Sequence, residues 1–122
     1  MEQNSQAIRR VLIVQSGSLF DEGLESMLTQ QTDFQVIGVH YSDDARFLLT
    51  MQREHPDVIL LFEDGPLEAR RVLDLLDLLE DAPTAAPLRV ITVRSGGNSL
   101  EMYARQAITT AQSQDLFALI RQ

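Results

Sequence analysis

Gln15, Ser16 and Phe62 stand at the ends of two continuously apolar, β-branched runs, residues 11–14 and 58–61. Such runs make buried parallel strands, and in an open α/β sheet chemistry gathers at the strands' carboxyl ends. Carboxylates at these ends would make a phosphoryl-transfer pocket: one to attack phosphorus, others to hold Mg²⁺ in hard oxygen ligands. This chain offers an amide, a hydroxyl and a phenyl ring instead. A phenyl ring cannot attack phosphorus, and Gln15 and Ser16 supply only weak neutral oxygens. Asp64 shares strand parity with Phe62, but its place just before Gly65-Pro66 puts it in a loop facing water. Phe62 is expected to fill the position with apolar bulk, which removes the cost of burying unpaired carboxylates.

Other chemistries are excluded by composition. There is no cysteine, hence no disulfide, thiolate metal site or thiol nucleophile. All 10 basic residues are arginine, so lysine chemistry is excluded too. His40 and His55 each lie at an element boundary with no second ligand at a recognisable spacing, and no metal or cofactor is expected. Gly96-Gly97 lacks the pattern and the helix start of a phosphate cradle. A net charge of −8 argues against nucleic-acid binding by this domain.

The elements that position the strand ends follow from periodicity. With 122 residues, 44% of them hydrophobic, the chain suits one compact domain, 9–122, after a loose polar lead-in at 1–8. Ser18 to Asp21 resembles a capping box, and Phe20, Leu24, Met27 and Leu28 follow a helix face. Residues 34–39 read as a second strand. Ser42-Asp43-Asp44 can cap a helix that runs to about Glu54, packs through Phe47, Leu48 and Met51, and stops at His55-Pro56. A third strand at 57–62, a helix over 67–80, a loop at 82–87 and a fourth strand at 88–93 follow. Ser113 can cap a last helix that buries Leu116, Phe117 and Ile120. Strands alternating with helices predict βαβ units and a parallel sheet with helices on both faces. No apolar run approaches the ~18–20 residues of a membrane span and the polar start is no secretion signal, so a cytoplasmic location is expected.

The order and spacing of several segments resemble the receiver domain of bacterial response regulators, nearest to those that precede a helix-turn-helix output domain. Arg10-Val11-Leu12-Ile13-Val14 stands where that family has its first strand, and Ser18 to Leu24 resembles its first-helix entry. Ser42-Asp43-Asp44 with residues 55–61 resembles its second helix and third strand, and Pro66 stands four residues after the phosphoacceptor position. The resemblance implies a flavodoxin-like, doubly wound sheet of order 2-1-3-4-5 in three αβα layers. It also implies that the active positions are degenerate. The Mg²⁺-binding acidic pair falls on Gln15 and Ser16, the phosphoacceptor on Phe62, the switch hydroxyl on Arg94, and the lysine near Thr109.

Residues 95–108 are too few for the family's helix, strand and helix. One solution is a stunted helix at 100–105 and a brief strand at 106–109. The other is a β-hairpin: Ser95-Gly96-Gly97-Asn98 has turn chemistry, and Leu100, Met102 and Ala104 alternate with Glu101, Tyr103 and Arg105. The hairpin is the favoured reading, with an edge strand at about 99–108 in place of the fourth helix.

Two surfaces can meet a partner. In the third helix, Val72, Leu73, Leu76 and Leu79 make a buried stripe, and Leu75 and Leu78 widen the apolar arc. That extra width is either harmless exposure or an interface. Met102, Tyr103 and Leu119, on the edge strand and last helix, form the second candidate. The function expected is a phosphorylation-independent receiver-like domain in two-component-type regulation. It would not be an enzyme, and would act by protein–protein interaction, with itself in a homodimer or with another protein. The alternative is a small-ligand or anion sensor with Gln15, Ser16, Phe62, Arg94 and Ser95 around a cleft.

Overall fold

The computed structural model describes residues 8–17, 19–63, 65–76, 88–94, 99–104, 107–112 and 116–121. The elements are β1 (Arg9–Val14), α1 (Leu19–Thr29), β2 (Phe34–Val39), α2 (Asp44–Glu54), β3 (Val58–Phe62), α3 (Ala69–Leu76), β4 (Arg89–Val93), β5 (Ser99–Ala104), β6 (Ala107–Gln112) and α4 (Leu116–Arg121). They form one six-stranded sheet of order β2-β1-β3-β4-β5-β6. The first four strands run parallel, and β5 and β6 are antiparallel to their neighbours.

All five residues of β3 are buried, as expected of a central parallel strand covered on both faces. Alternate residues of the four parallel strands feed two cores. Val11, Ile13, Leu60, Phe62 and Ile91 pack with Leu24 and Leu28 of α1 and with Leu116 and Ile120 of α4. Leu12, Ile59, Leu61 and Val90 pack with Phe47 and Met51 of α2 and with Val72 and Leu75 of α3.

The caps explain the limits of α2. Asp43 is the N-cap, its carboxylate accepting from the Arg46 amide at 2.8 Å. His55 closes the helix in the left-handed region at φ 49°, donating its amide to the Met51 carbonyl at 3.0 Å. Pro56 follows and forbids another turn.

Several expectations are corrected. The sheet continues past a fifth strand: residues expected to form a single edge strand at 99–108 belong to two strands, and β6 is the edge. A parallel fifth strand needs a crossover of about a dozen residues. Four residues lie between Arg94 and Ser99, so the chain returns antiparallel as the hairpin reading expects, and Leu100 to Ala104 are strand rather than helix. Leu75 is buried at 5% exposure, because α3 turns Ala69, Val72 and Leu75 inward, leaving Leu73 and Leu76 half-buried. An Arg71–Asp44 ion pair joins α3 to α2. Leu119 is also buried, in the core beneath α4. Both leucines belong to the core. Met27, placed by periodicity on the buried face of α1, is 54% exposed; among the described side chains of α1 the buried ones are Asp21, Leu24 and Leu28, and that of Phe20 lies outside them.

Leu78 and Leu79, the loop at 82–87, Ser113 and most of the lead-in lie outside the described residues, as does the stretch of the expected third helix beyond Leu76. Met102 and Tyr103 are placed by their backbone alone. Among the described residues no helix is long and apolar enough to cross a membrane.

Candidate functional site

An open cleft of about 430 Å³ lies at the carboxyl ends of β1, β2 and β3, lined by Gln15, Ser16, Gly17, His40, Tyr41, Gly65 and Pro66. The chain leaves β1 for β2 on one side and later returns to β3 on the other. The cleft therefore straddles the point where strand order reverses, the usual ligand position in open parallel sheets.

Ser16 and Gly17 owe their positions to Asp21, the one buried charged residue among those described, at 3% exposure. Its carboxylate accepts from the Ser16 hydroxyl at 2.7 and 2.9 Å, from the Gly17 amide at 2.9 Å, and from the Ser16 amide. Ionised acceptors satisfied by several N–H and O–H donors tolerate such burial. The sequence pattern pointed Asp21 at a helix cap on Ser18, which lies outside the described residues. The structure turns the carboxylate to the preceding loop.

Gln15 continues β1, donating its amide to the Val39 carbonyl at 2.9 Å and its side-chain Nε2 to Glu25 at 3.0 Å. Gly38 lies beneath this pair: a Cβ there would sit 2.9 Å from Gln15 Nε2 and from both Glu25 carboxylate oxygens. Gly65 closes the far wall. Its amide donates to the Phe62 carbonyl at 2.8 Å. A Cβ on it would sit 3.1 Å from that oxygen and 3.4 Å from the Ser16 Cβ.

On the β2 side, the Tyr41 phenol donates to Asp44, which also receives Arg71. The hydrogen bond to Asp44 raises the Tyr41 pKa above its ordinary value, and desolvation and the nearby negative charge add to it. The bond from Tyr41, then Arg71, hold Asp44 below the usual carboxylate range. The phenol therefore stays a neutral donor. Sequence reading passed over Tyr41, whose only signal was its place just before the Ser42-Asp43-Asp44 cap.

The predicted positions converge only in part, with Phe62 and Ser16 both beside Gly65. Gln15 and Ser16 line the cleft, but Phe62 is buried at 6% exposure in the core beneath α1 and α4. Arg94 follows β4 and pairs with Glu63 at 3.3 Å, away from the cleft lining. Thr109 is far from any strand-end pocket. It pairs with Met102, which pairs with Ile91, itself opposite Leu60, so it lies in a middle row of the sheet on its edge strand. The row of Phe62 runs through Val93 and Leu100 to Ala111. The antiparallel reversal of β5 and β6 moves Thr109 out. The sensor alternative also loses Phe62 and Arg94 from its cleft, and Ser95 and Asp64 lie outside the described residues.

Asp21, Glu25, Asp44 and Glu63 each already engage a protein donor. Among the described residues, no three of His, Asp or Glu are grouped to hold a metal ion. What the cleft presents is hydrogen-bonding and aromatic: an amide, a hydroxyl, an imidazole and a phenol. No protein-family model matches the chain, and no curated protein matches it in sequence.

Proposed function

We propose that this chain is a receiver-like signalling domain of flavodoxin-like fold that works without phosphorylation, by protein–protein interaction in two-component-type regulation. The observation that carries the reading is Phe62. At the carboxyl end of the central strand, where a receiver bears its phosphoacceptor, a phenyl ring is packed into the core. The parallel order 2-1-3-4, the helices on both faces and the neutral Gln15-Ser16 end of β1 support it. A cytoplasmic location, partnership with itself or another protein, and no direct nucleic-acid contact by this domain go with it. The test is incubation with acetyl phosphate, or with beryllofluoride and Mg²⁺, followed by intact-mass measurement and amide NMR. Unchanged mass and spectra are expected; a stoichiometric phosphoryl adduct sinks the proposal.

A second reading rests on the cleft itself: about 430 Å³ at the strand-order reversal, lined by polar and aromatic groups, suits a small ligand. A thermal-shift screen of nucleotides and small anions separates the two. A saturable stabilisation abolished by Tyr41→Ala favours a sensor.

A further inference from the structure

Most hydrogens on the walls of the switch-point cleft are already given to the protein itself. A hydroxyl has one hydrogen to donate and lone pairs with which to accept. That of Ser16 donates to Asp21 at 2.7 Å, and the Tyr41 phenol donates to Asp44. Gln15 turns its Nε2 to Glu25 at 3.0 Å, which fixes the sense of the amide and leaves Oε1 to accept. The main chain follows the same rule. The Gln15 amide donates to Val39, the Ser16 and Gly17 amides to Asp21 and the Gly65 amide to Phe62, while Pro66 has no N–H. Five of the seven lining residues thus offer a ligand no main-chain hydrogen.

Charge points the same way. Loop amides ahead of a helix are a common seat for phosphate. Here Asp21, in the first turn of α1, holds that seat with its own carboxylate. No arginine lines the cleft, and the chain has no lysine. Glu25 stands behind Gln15 and Asp44 behind Tyr41, the latter offset by Arg71. An anion would meet negative charge and few donors. A cation bearing N–H groups would meet acceptors in a favourable field.

We propose that the cleft binds a small organic cation, an ammonium or guanidinium compound whose N–H groups donate to Gln15 Oε1 and to the Tyr41 phenol oxygen. His40, also on the wall, can turn a ring lone pair to the same ligand. About 430 Å³ is ample for a compound of that size. This ligand class rests on the small-ligand reading of the cleft and reverses the charge expected there, from anion to cation. It also gives a domain that takes no phosphate another input at the same end of the sheet.

The test is an amide NMR titration of the full chain with three probes. Agmatine carries a guanidinium and an ammonium, 4-guanidinobutyrate has a carboxylate in place of the aminomethyl end, and inorganic phosphate is the anion. Agmatine is expected to saturate, with shifts confined to residues 15–17, 40, 41 and 65, and to bind about tenfold tighter than 4-guanidinobutyrate. Phosphate should leave those amides unmoved. Tyr41→Phe removes one acceptor and keeps the ring, and Gln15→Leu removes the other; each should weaken agmatine about tenfold. Because the net charge is −8, diffuse attraction is the competing outcome. Shifts spread over the acidic surface, or an affinity equal in wild type and both variants, overturn the proposal. Saturable phosphate binding at residues 15–17 overturns the cation and leaves a ligand cleft standing. A cleft silent to all three probes overturns the cation, and silence in the nucleotide and anion screen as well sinks the small-ligand reading with it.

Discussion

Asp21 reaches back across the start of α1 to hold Ser16, accepting its hydroxyl at 2.7 and 2.9 Å while itself buried from water. The end of β1 is thus shaped by an acid that lies in the next helix. Replacing Asp21 with Ala strands the Ser16 and Gly17 amides. The expected loss is about 1–3 kcal/mol in urea unfolding, with amide shifts concentrated at residues 15–17. Asp21→Asn, which keeps one acceptor oxygen, should lose less.

Placing an acid at the end of β3 should not create phosphoryl chemistry. Phe62→Asp removes a buried ring from the core and leaves a carboxyl among Leu24, Leu28 and Ile91. A destabilisation of at least about 3–5 kcal/mol is expected, with no phosphoryl uptake from acetyl phosphate by intact mass. Uptake by this variant would mean that the pocket needs only its nucleophile.

Gly38 and Gly65 should answer the same substitution differently. A methyl group at Gly38 meets the tips of Gln15 and Glu25, flexible side chains that can swing away. Gly38→Ala should stay within about 1 kcal/mol of wild type, partly offset by the reduced entropy of the unfolded chain. At Gly65 the obstacle is the Phe62 carbonyl, and Gly65→Ala should cost about 1–3 kcal/mol. Chemical denaturation of the two variants in parallel makes the comparison.

The Tyr41–Asp44 bond predicts opposite effects at the two ends of the pH scale. Asp44 has a lowered pKa in the fold, so its contribution is present above the unfolded value of about 3.9 and is lost as pH falls through the folded one. Tyr41 has a raised pKa, so its contribution is present below about 10 and is lost as pH rises through the folded value. Thermal unfolding across pH should show Asp44→Asn losing both dependences, and Tyr41→Phe losing the alkaline one and most of the acid one, with the Arg71 part of the latter left.

Arg89 fastens α4. Its half-buried guanidinium donates to the Leu119 carbonyl and, at 2.7 Å, to the Ile120 carbonyl, the open acceptors of the helix's last turn. Arg89→Ala should cost about 1.5–3 kcal/mol. Hydrogen exchange at 116–121 should accelerate more than at β3, and Arg89→Lys, lacking the planar fork, should recover only part of the loss.

Local chemistry made the first part of the chain readable. Asp43 and His55-Pro56 mark both ends of α2, and the uninterrupted apolarity of 58–62 marks a strand covered on two faces. Reading failed where the answer depends on other elements. Leu75 faces inward with Ala69 and Val72 because that face packs against α2 and the sheet, which the stripe of leucines alone does not encode. Met27 lies on the right period but at the rim of the face that meets the sheet. Thr109 misses the pocket because the reversal of two strands shifts its row, and row position is set by pairing partners. Of the site, Gln15 and Ser16 were legible as strand ends. The roles of Asp21 and Gly65 were not, since each acts on a loop that a different element brings near.

The Arg9 guanidinium donates to the carbonyl of Arg121, and Arg121 binds Asp33 beside the start of β2. The first strand and the last helix therefore meet at one corner, at the amino ends of the parallel strands and opposite the cleft. A circular permutant of residues 9–121 that joins Arg121 to Arg9 by a short flexible linker and opens the chain elsewhere should fold to the same structure. A reporter joined directly before Arg9 or after Arg121 would start from that corner, across the sheet from the switch-point cleft.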